Sequence, residues 1–390
     1  MMVTACQNDD ATTEVNQPGD AIIIGVDEGS LTRATGEMSS SNIGVLAQKG
    51  FGVFASYTGQ LTYENTTVSP DFMYNQKVIG EKIGADTYSW EYSPVKYWPN
   101  STYQETGKYN EYITFFAYAP YEADPKDDGR AIIDMSKKYD YGDPWINFRL
   151  PRYPWGNGKE ETDADYIAPS QVDLMYGVKS GGINVNGGWD DKLFIDQQKS
   201  NYGIKDELNF VFRHALACIG DRITIKMTDE MKTYINGYAS IYLDKLTITY
   251  KNLTTKGRLV LNSPSGPNWK EIISGEITTE RTFVKKPDAP ILLTTDVTEL
   301  SSGEGLFYIP MQVKGMDAPM AEVTIDYIVI NNAGTSYSGQ ATTTVPLSTN
   351  YEGQKQGIAL QITKDLDLLH LVYELGDNTA TEPSYSREAR

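Results

Sequence analysis

Short apolar runs and strict apolar–polar alternation recur along this chain, separated by turn residues. The clearest alternation starts at Leu208. Leu208, Phe210, Phe212, His214, Leu216 and Cys218 share one face of an extended segment, and Asn209, Val211, Arg213, Ala215 and Ala217 share the other. Ile223, Ile225 and Met227 carry the pattern past a break at Gly220-Asp221. Further strands are expected at 51–57, 113–119, 172–177, 246–250, 258–261, 307–310, 323–330, 358–362 and 368–373. Trp90 to Pro99 carries two prolines and reads as an edge. The stretches 139–163 and 179–201 read as loops, the second a connection between halves. Strands at this spacing, with few helical stretches, predict two β-sandwiches in series, over 42–185 and 205–390.

Near the N-terminus, Ala21-Ile22-Ile23-Ile24-Gly25-Val26 is a continuous apolar run between Pro18-Gly19-Asp20 and Asp27-Glu28-Gly29-Ser30. It is too short and too β-branched for a helix, so it predicts a strand buried on both faces. A polar stretch from Leu31 to Asn42 follows and reads as an exposed loop, where proteases cut most readily. Arg33 is the lone basic residue between Cys6 and Lys49, so a trypsin-like enzyme has one choice there, the Arg33-Ala34 bond.

Composition narrows the chemistry. The 390 residues carry a formal charge of −18, which repels phosphate backbones and anionic headgroups and argues against nucleic-acid binding. Two histidines and two cysteines are too few for zinc fingers, iron–sulfur clusters or a disulfide framework. His214 and His370 have no ligand-spaced partner, and His214 reads as a core or interface histidine. No G-x-S-x-G elbow or phosphate-cradling loop is present. Asp124 to Gly129 lacks the carboxylate spacing of a calcium loop and reads as a solvated turn. Cys218 reads as a buried, inert thiol. No enzyme, metal or cofactor is therefore expected. Clustered aromatics, Trp90, Tyr92, Tyr97 and Trp98, then Tyr139, Tyr141, Trp145, Tyr153 and Trp155, suit packing at sandwich ends; the other use of such rings is stacking on sugars.

Val3-Thr4-Ala5-Cys6 places small residues before a thiol, as at a lipoprotein processing site, and Gln7 to Glu14 is a polar, acidic tether. Residues 1–20 thus predict a lipid-anchored stalk with Cys6 acylated. The n- and h-regions of a leader would lie upstream of Met1. No run of eighteen apolar residues predicts a membrane-spanning helix.

Several segments, in order, resemble one family. They are Asn42-Ile43-Gly44-Val45-Leu46-Ala47, Tyr92 to Pro99, Ile113 to Tyr121, Asp173-Leu174-Met175-Tyr176-Gly177, Phe210 to Ala217 and Leu306 to Gln312. Together they are similar to the fimbrillin-like surface lipoproteins of Gram-negative anaerobes, which build type V pili. The resemblance implies an all-β fold of two tandem transthyretin-like, Greek-key β-sandwiches, the first of the six segments being its opening strand. It implies export as a lipoprotein to the outer membrane, assembly into a cell-surface fimbrium with other pilin subunits, and a role in adhesion. An Arg-specific protease would cut at Arg33-Ala34 and free the first strand, with Ile22, Ile23, Ile24 and Val26. A neighbour's strand, Leu368–Tyr373 or Ile358–Ile362 of a second copy, would replace it by β-strand addition. The alternative is a monomeric surface lipoprotein that binds glycans or host ligands through its aromatic loops.

Overall fold

Alternation decides which way each strand of the first half faces. In β2 (Phe51–Gly59), Phe51, Val53 and Ala55 enter one core and Phe54 enters another. β5 (Tyr112–Ala119) divides alike, with Ile113, Phe115 and Ala117 on the first side and Phe116 and Tyr118 on the second. These strands belong to one eight-stranded sheet of the computed structural model, which describes residues 21–27, 43–85, 87–99, 111–127, 130–150, 171–181, 190–199, 207–271, 278–300, 305–347 and 355–374. Its order is β1 (Ile23–Val26), β10 (Glu207–His214), β8 (Met175–Val178), β5, β2, β3 (Met73–Lys82) and β4 (Tyr88–Glu91), with β9 (Phe194–Gln197) also on β5.

A four-stranded sheet covers part of the second face. It is ordered β14 (Asn268–Glu271), β13 (Lys256–Val260), β7 (Trp145–Arg149), β6 (Ile132–Met135). Ile146 and Phe148 of β7 meet Phe54, Phe116 and Tyr118 in the second core.

Two five-stranded sheets make up most of the remainder. One is β17 (Thr298–Glu299), β11 (Ala217–Met227), β21 (Lys355–Ile362), β22 (Leu368–Glu374), with β18 (Leu306–Tyr308) also on β11. The other is β15 (Thr278–Lys285), β12 (Ala239–Thr254), β19 (Met320–Asn331), β20 (Ser336–Pro346), with β16 (Ile291–Leu292) on β12. Ile225, Ile241, Ile248, Ile325, Ile358 and Leu360 extend the second core through both. Among the described residues the fold is mostly β, 54% strand with two α-helices, in several sheets.

Several expectations are corrected. Ile43–Lys49 is a helix, α1, and not an opening strand. Ile43, Leu46 and Ala47 are its buried residues, a 3.6-period face that packs on the sheet. Gly50 ends it at φ 76°, with its N–H on the Leu46 carbonyl. α2 (Asp229–Ile235) had no counterpart in the strand reading, although Thr228 caps it by accepting from the Met231 N–H and Asn236 closes it in the left-handed region. The loop expected over 139–163 contains β7, and that over 179–201 contains β9. The long alternating segment breaks at Ala215-Leu216, where the chain passes from the first sheet to the third. Gly220, at φ 77°, is instead a register shift within β11.

Two segments from beyond residue 205 complete sheets begun before residue 185. β10 pairs with β8 and β1, and β13 pairs with β7.

Candidate functional site: the closing strand and its slot

β1 runs parallel to β10, with Ile23 opposite Glu207, Ile24 opposite Leu208, Gly25 opposite Asn209 and Val26 opposite Phe210. The Asp27 N–H continues this ladder to the Phe210 carbonyl at 2.9 Å. The other side of β1 meets the segment that follows β4. The Ile22 N–H donates to the Lys96 carbonyl at 2.9 Å, the Tyr92 hydroxyl donates to the Ile22 carbonyl at 2.7 Å, and Ala21 bridges Tyr97. The first sheet therefore meets itself through β1.

The core enclosed by that closure holds Ile22 and Ile24, each 1% exposed, and Val26 at 7%. They share it with Phe51, Val53, Phe115, Phe194, Phe210 and Phe212. Ring contacts knit it together: Phe194 and Phe210 have centroids 4.8 Å apart, and Phe51 and Phe212 5.0 Å. Burying three branched side chains is worth roughly 1.5–3 kcal/mol each, so β1 contributes on the order of 5–9 kcal/mol before entropy costs. That is comparable with a whole domain's net stability of about 5–15 kcal/mol. Ile23, the fourth expected strand residue, is only half-buried.

Burial raises the pKa of the Tyr92 phenol, so the hydroxyl keeps the proton it gives to Ile22. The loop carrying it is held independently of β1. Gln76 donates its side-chain amide to the Ser93 carbonyl at 3.0 Å, the Lys96 ammonium lies 5.5 Å from the Phe72 ring centre, and Trp98 packs edge-on against Phe115.

Elsewhere the expected groups take structural places. His214 Nδ1 lies 2.7 Å from a carboxylate oxygen of the buried Asp173, a contact that becomes an ion pair when the imidazole is protonated. Beside it Arg213 makes two hydrogen bonds to Asp191, at 2.8 and 3.0 Å. Cys218 is buried in β11. Of the acidic turn, Asp127 faces Lys256 and Arg149, and Asp124 and Glu122 face Arg130. Among the described residues no group of three His, Cys, Asp or Glu side chains could hold a metal ion. Trp90 and Tyr92 pack against the β1 core, Trp98 is buried in it, and Trp145 lies under the Arg258 guanidinium at 3.8 Å. Tyr139 and Tyr141 are exposed. Cys6, Arg33, Ala34, Tyr153 and Trp155 lie outside the described residues. No described helix is long and apolar enough to cross a membrane.

No protein-family profile matches the chain. It is 29% identical over 152 residues to the fimbrium subunit Fim1C of Phocaeicola vulgatus. Over that stretch the chain is similar to a fimbrium subunit. The matched stretch is 38% of this chain and spans 36% of the length of that curated relative. A crystal structure of a fimbrial protein from Bacteroides vulgatus ATCC 8482 has the same fold across 91% of this chain and 99% of its own, at 21% identity and a TM-score of 0.62.

Proposed function

We propose that this protein is a subunit of a cell-surface fimbrium, exported as an outer-membrane lipoprotein and assembled by replacement of β1 with a strand from another subunit. The observation that carries the reading is the position of β1. It is a short apolar strand hydrogen-bonded on both sides at its Ile22 end, and it completes a core that the rest of the sheet leaves open. The kinship to a fimbrium subunit supports the same reading. Lipidation at Cys6 and a cut at Arg33-Ala34 by an Arg-specific protease complete it. Such a cut detaches β1 and the anchor from the body together, leaving a groove bordered by the backbone of β10 and of residues 92–97. The body keeps two transthyretin-like, Greek-key sandwiches in series, with β10, β13 and β14 completing the first.

The donor is C-terminal. Within its sheet β21 lies between β11 and β22, whereas β22 pairs with β21 at the end of the order. Leu368–Glu374 can thus leave by giving up one ladder and Ile358–Ile362 only by giving up two, so β22 is the favoured donor. The aromatic alternative has support in Tyr139 and Tyr141, which face solvent; they fit an adhesive contact on an assembled fimbrium equally well.

Expression with a lipoprotein leader tests this reading in cells. Wild-type protein should take up labelled palmitate and appear in the filament fraction sheared from cells. Cys6→Ala should abolish the label, and Arg33→Ala should leave the protein cell-bound. Wild-type protein absent from sheared filaments would overturn the assignment.

A further inference from the structure

The way the Ile22 end of β1 is held gives strand replacement a direction. At the Ile22 end the strand is clasped from both sides, by β10 and by the segment 92–97. The hydrogen bonds of the clasp go to backbone atoms: the Lys96 carbonyl takes the Ile22 N–H, and the Tyr92 hydroxyl gives its proton to the Ile22 carbonyl. The same hydroxyl accepts the Lys96 N–H at 3.3 Å, so one phenol ties the strand to the loop that holds it. Because Gln76, Phe72 and Phe115 anchor this loop, it stays formed whichever strand fills the slot. The Val26 end is the one nearer in sequence to the Arg33-Ala34 bond.

We propose that the segment Tyr92–Tyr97 is a backbone-reading clasp that seats the far end of any strand occupying the slot, with Tyr92 its positioning residue. This rests on the strand-replacement reading above. Its partner is an extended strand supplied by a second subunit, with apolar side chains at alternate positions. The hydrogen bonds of the clasp reach only the peptide group, while the side chain at that position has to be apolar, as the buried Ile22 is. An incoming strand enters beside Val26, where cleavage has loosened the old one, and displaces it residue by residue along β10. Opening the Tyr92 clasp is the last step. The clasp therefore sets how long a seated strand stays, while the Val26 end sets how readily a new one enters.

Displacement kinetics separate the two ends. The chain, cut by an arginine-specific protease, is mixed with increasing amounts of a synthetic peptide of residues 20–27, and loss of the N-terminal fragment is followed by native mass spectrometry. At low peptide the rate rises with concentration, reporting entry; at high peptide it levels off, reporting final release. Tyr92→Phe removes the hydroxyl's hydrogen bonds to Ile22 and to Lys96 and keeps the ring, so the plateau should rise about 3- to 10-fold with the initial slope unchanged. Val26→Ala should raise the initial slope and leave the plateau within about twofold. A Tyr92→Phe plateau equal to wild type, or a slope that moves with it, overturns the clasp while leaving strand replacement standing. If no peptide concentration releases the fragment from the cut wild-type chain, strand replacement and the clasp fall together.

Discussion

Trp269 donates its indole N–H to the carbonyl oxygen of Ala215 at 2.8 Å. Ala215 sits where the chain steps from β10 to β11, and Trp269 comes from β14, which reaches the first half through β13 and β7. Gln171 works on the same junction, accepting the Phe307 N–H and donating to the Gly305 carbonyl. Together these bonds tie β10, the strand that carries β1, to the sheets that hold the C-terminal strands. Trp269→Phe keeps a ring against Phe148 but orphans the buried Ala215 carbonyl, which should cost about 1–3 kcal/mol. Urea unfolding followed by circular dichroism measures it; an unchanged midpoint would show that the bond holds nothing together.

The interior of the first sheet makes its own demand on β1. Ile24→Ala removes a fully buried side chain and should destabilise the intact chain by about 2–5 kcal/mol. Ile23→Ala, at a half-buried position, should cost well under half as much. Equal losses at the two positions would mean that β1 does not pack as described.

Helix α1 depends on one missing side chain. A Cβ added at Gly80 would stand 2.6 Å from Ala47 Cβ and 3.0 Å from Ala47 Cα. The helix would have to lift from β3, and Gly80→Ala should cost about 1–3 kcal/mol in thermal or urea unfolding. A variant as stable as wild type would place α1 elsewhere.

Much of this was legible in the residues, and what was not has physical reasons. The apolar run at 22–26 announces a buried strand because nothing else so short and branched is stable. Its partner does not announce itself: parallel pairing with Glu207–Phe210 joins segments from the two halves of the chain, and no local pattern encodes that register. The resemblance made 42–47 an opening strand, yet the spacing of Ile43, Leu46 and Ala47 fits one helical face. Thr228 followed by Asp229-Glu230, with Asn236-Gly237 beyond, is a start and a stop signal for α2 that outweighs the surrounding alternation. Tyr92 could be seen as an aromatic in a cluster, but its hydrogen bond to Ile22 depends on a fold that closes on itself.

Tyrosines make the fold sensitive to alkali. Burial, aided by the hydrogen bond to Glu111, pushes the Tyr57 hydroxyl up to about 12. Burial also raises Tyr63, with Asp143 adding to it, and is the main cause at Tyr118 and Tyr250. The folded chain then keeps protons that the unfolded chain releases above a pH of about 10. Their contribution is fully present below that value and is lost as pH rises through the folded-state values. The urea midpoint should fall between pH of about 9 and about 11, and Tyr63→Phe should make the fall shallower. A midpoint flat across that window would contradict these environments.

The central claim is that β1 is a replaceable part, and limited proteolysis followed by size-exclusion chromatography with mass analysis tests it most directly. Intact chain should elute as a monomer. Chain cut after Arg33 should lose its N-terminal fragment and form linear, head-to-tail oligomers, because donor and acceptor surfaces differ. Under the same protease Arg33→Ala should stay monomeric, and a chain ending before Leu368 should be cut without polymerising. A cut wild-type chain that stays monomeric at high concentration would contradict the account.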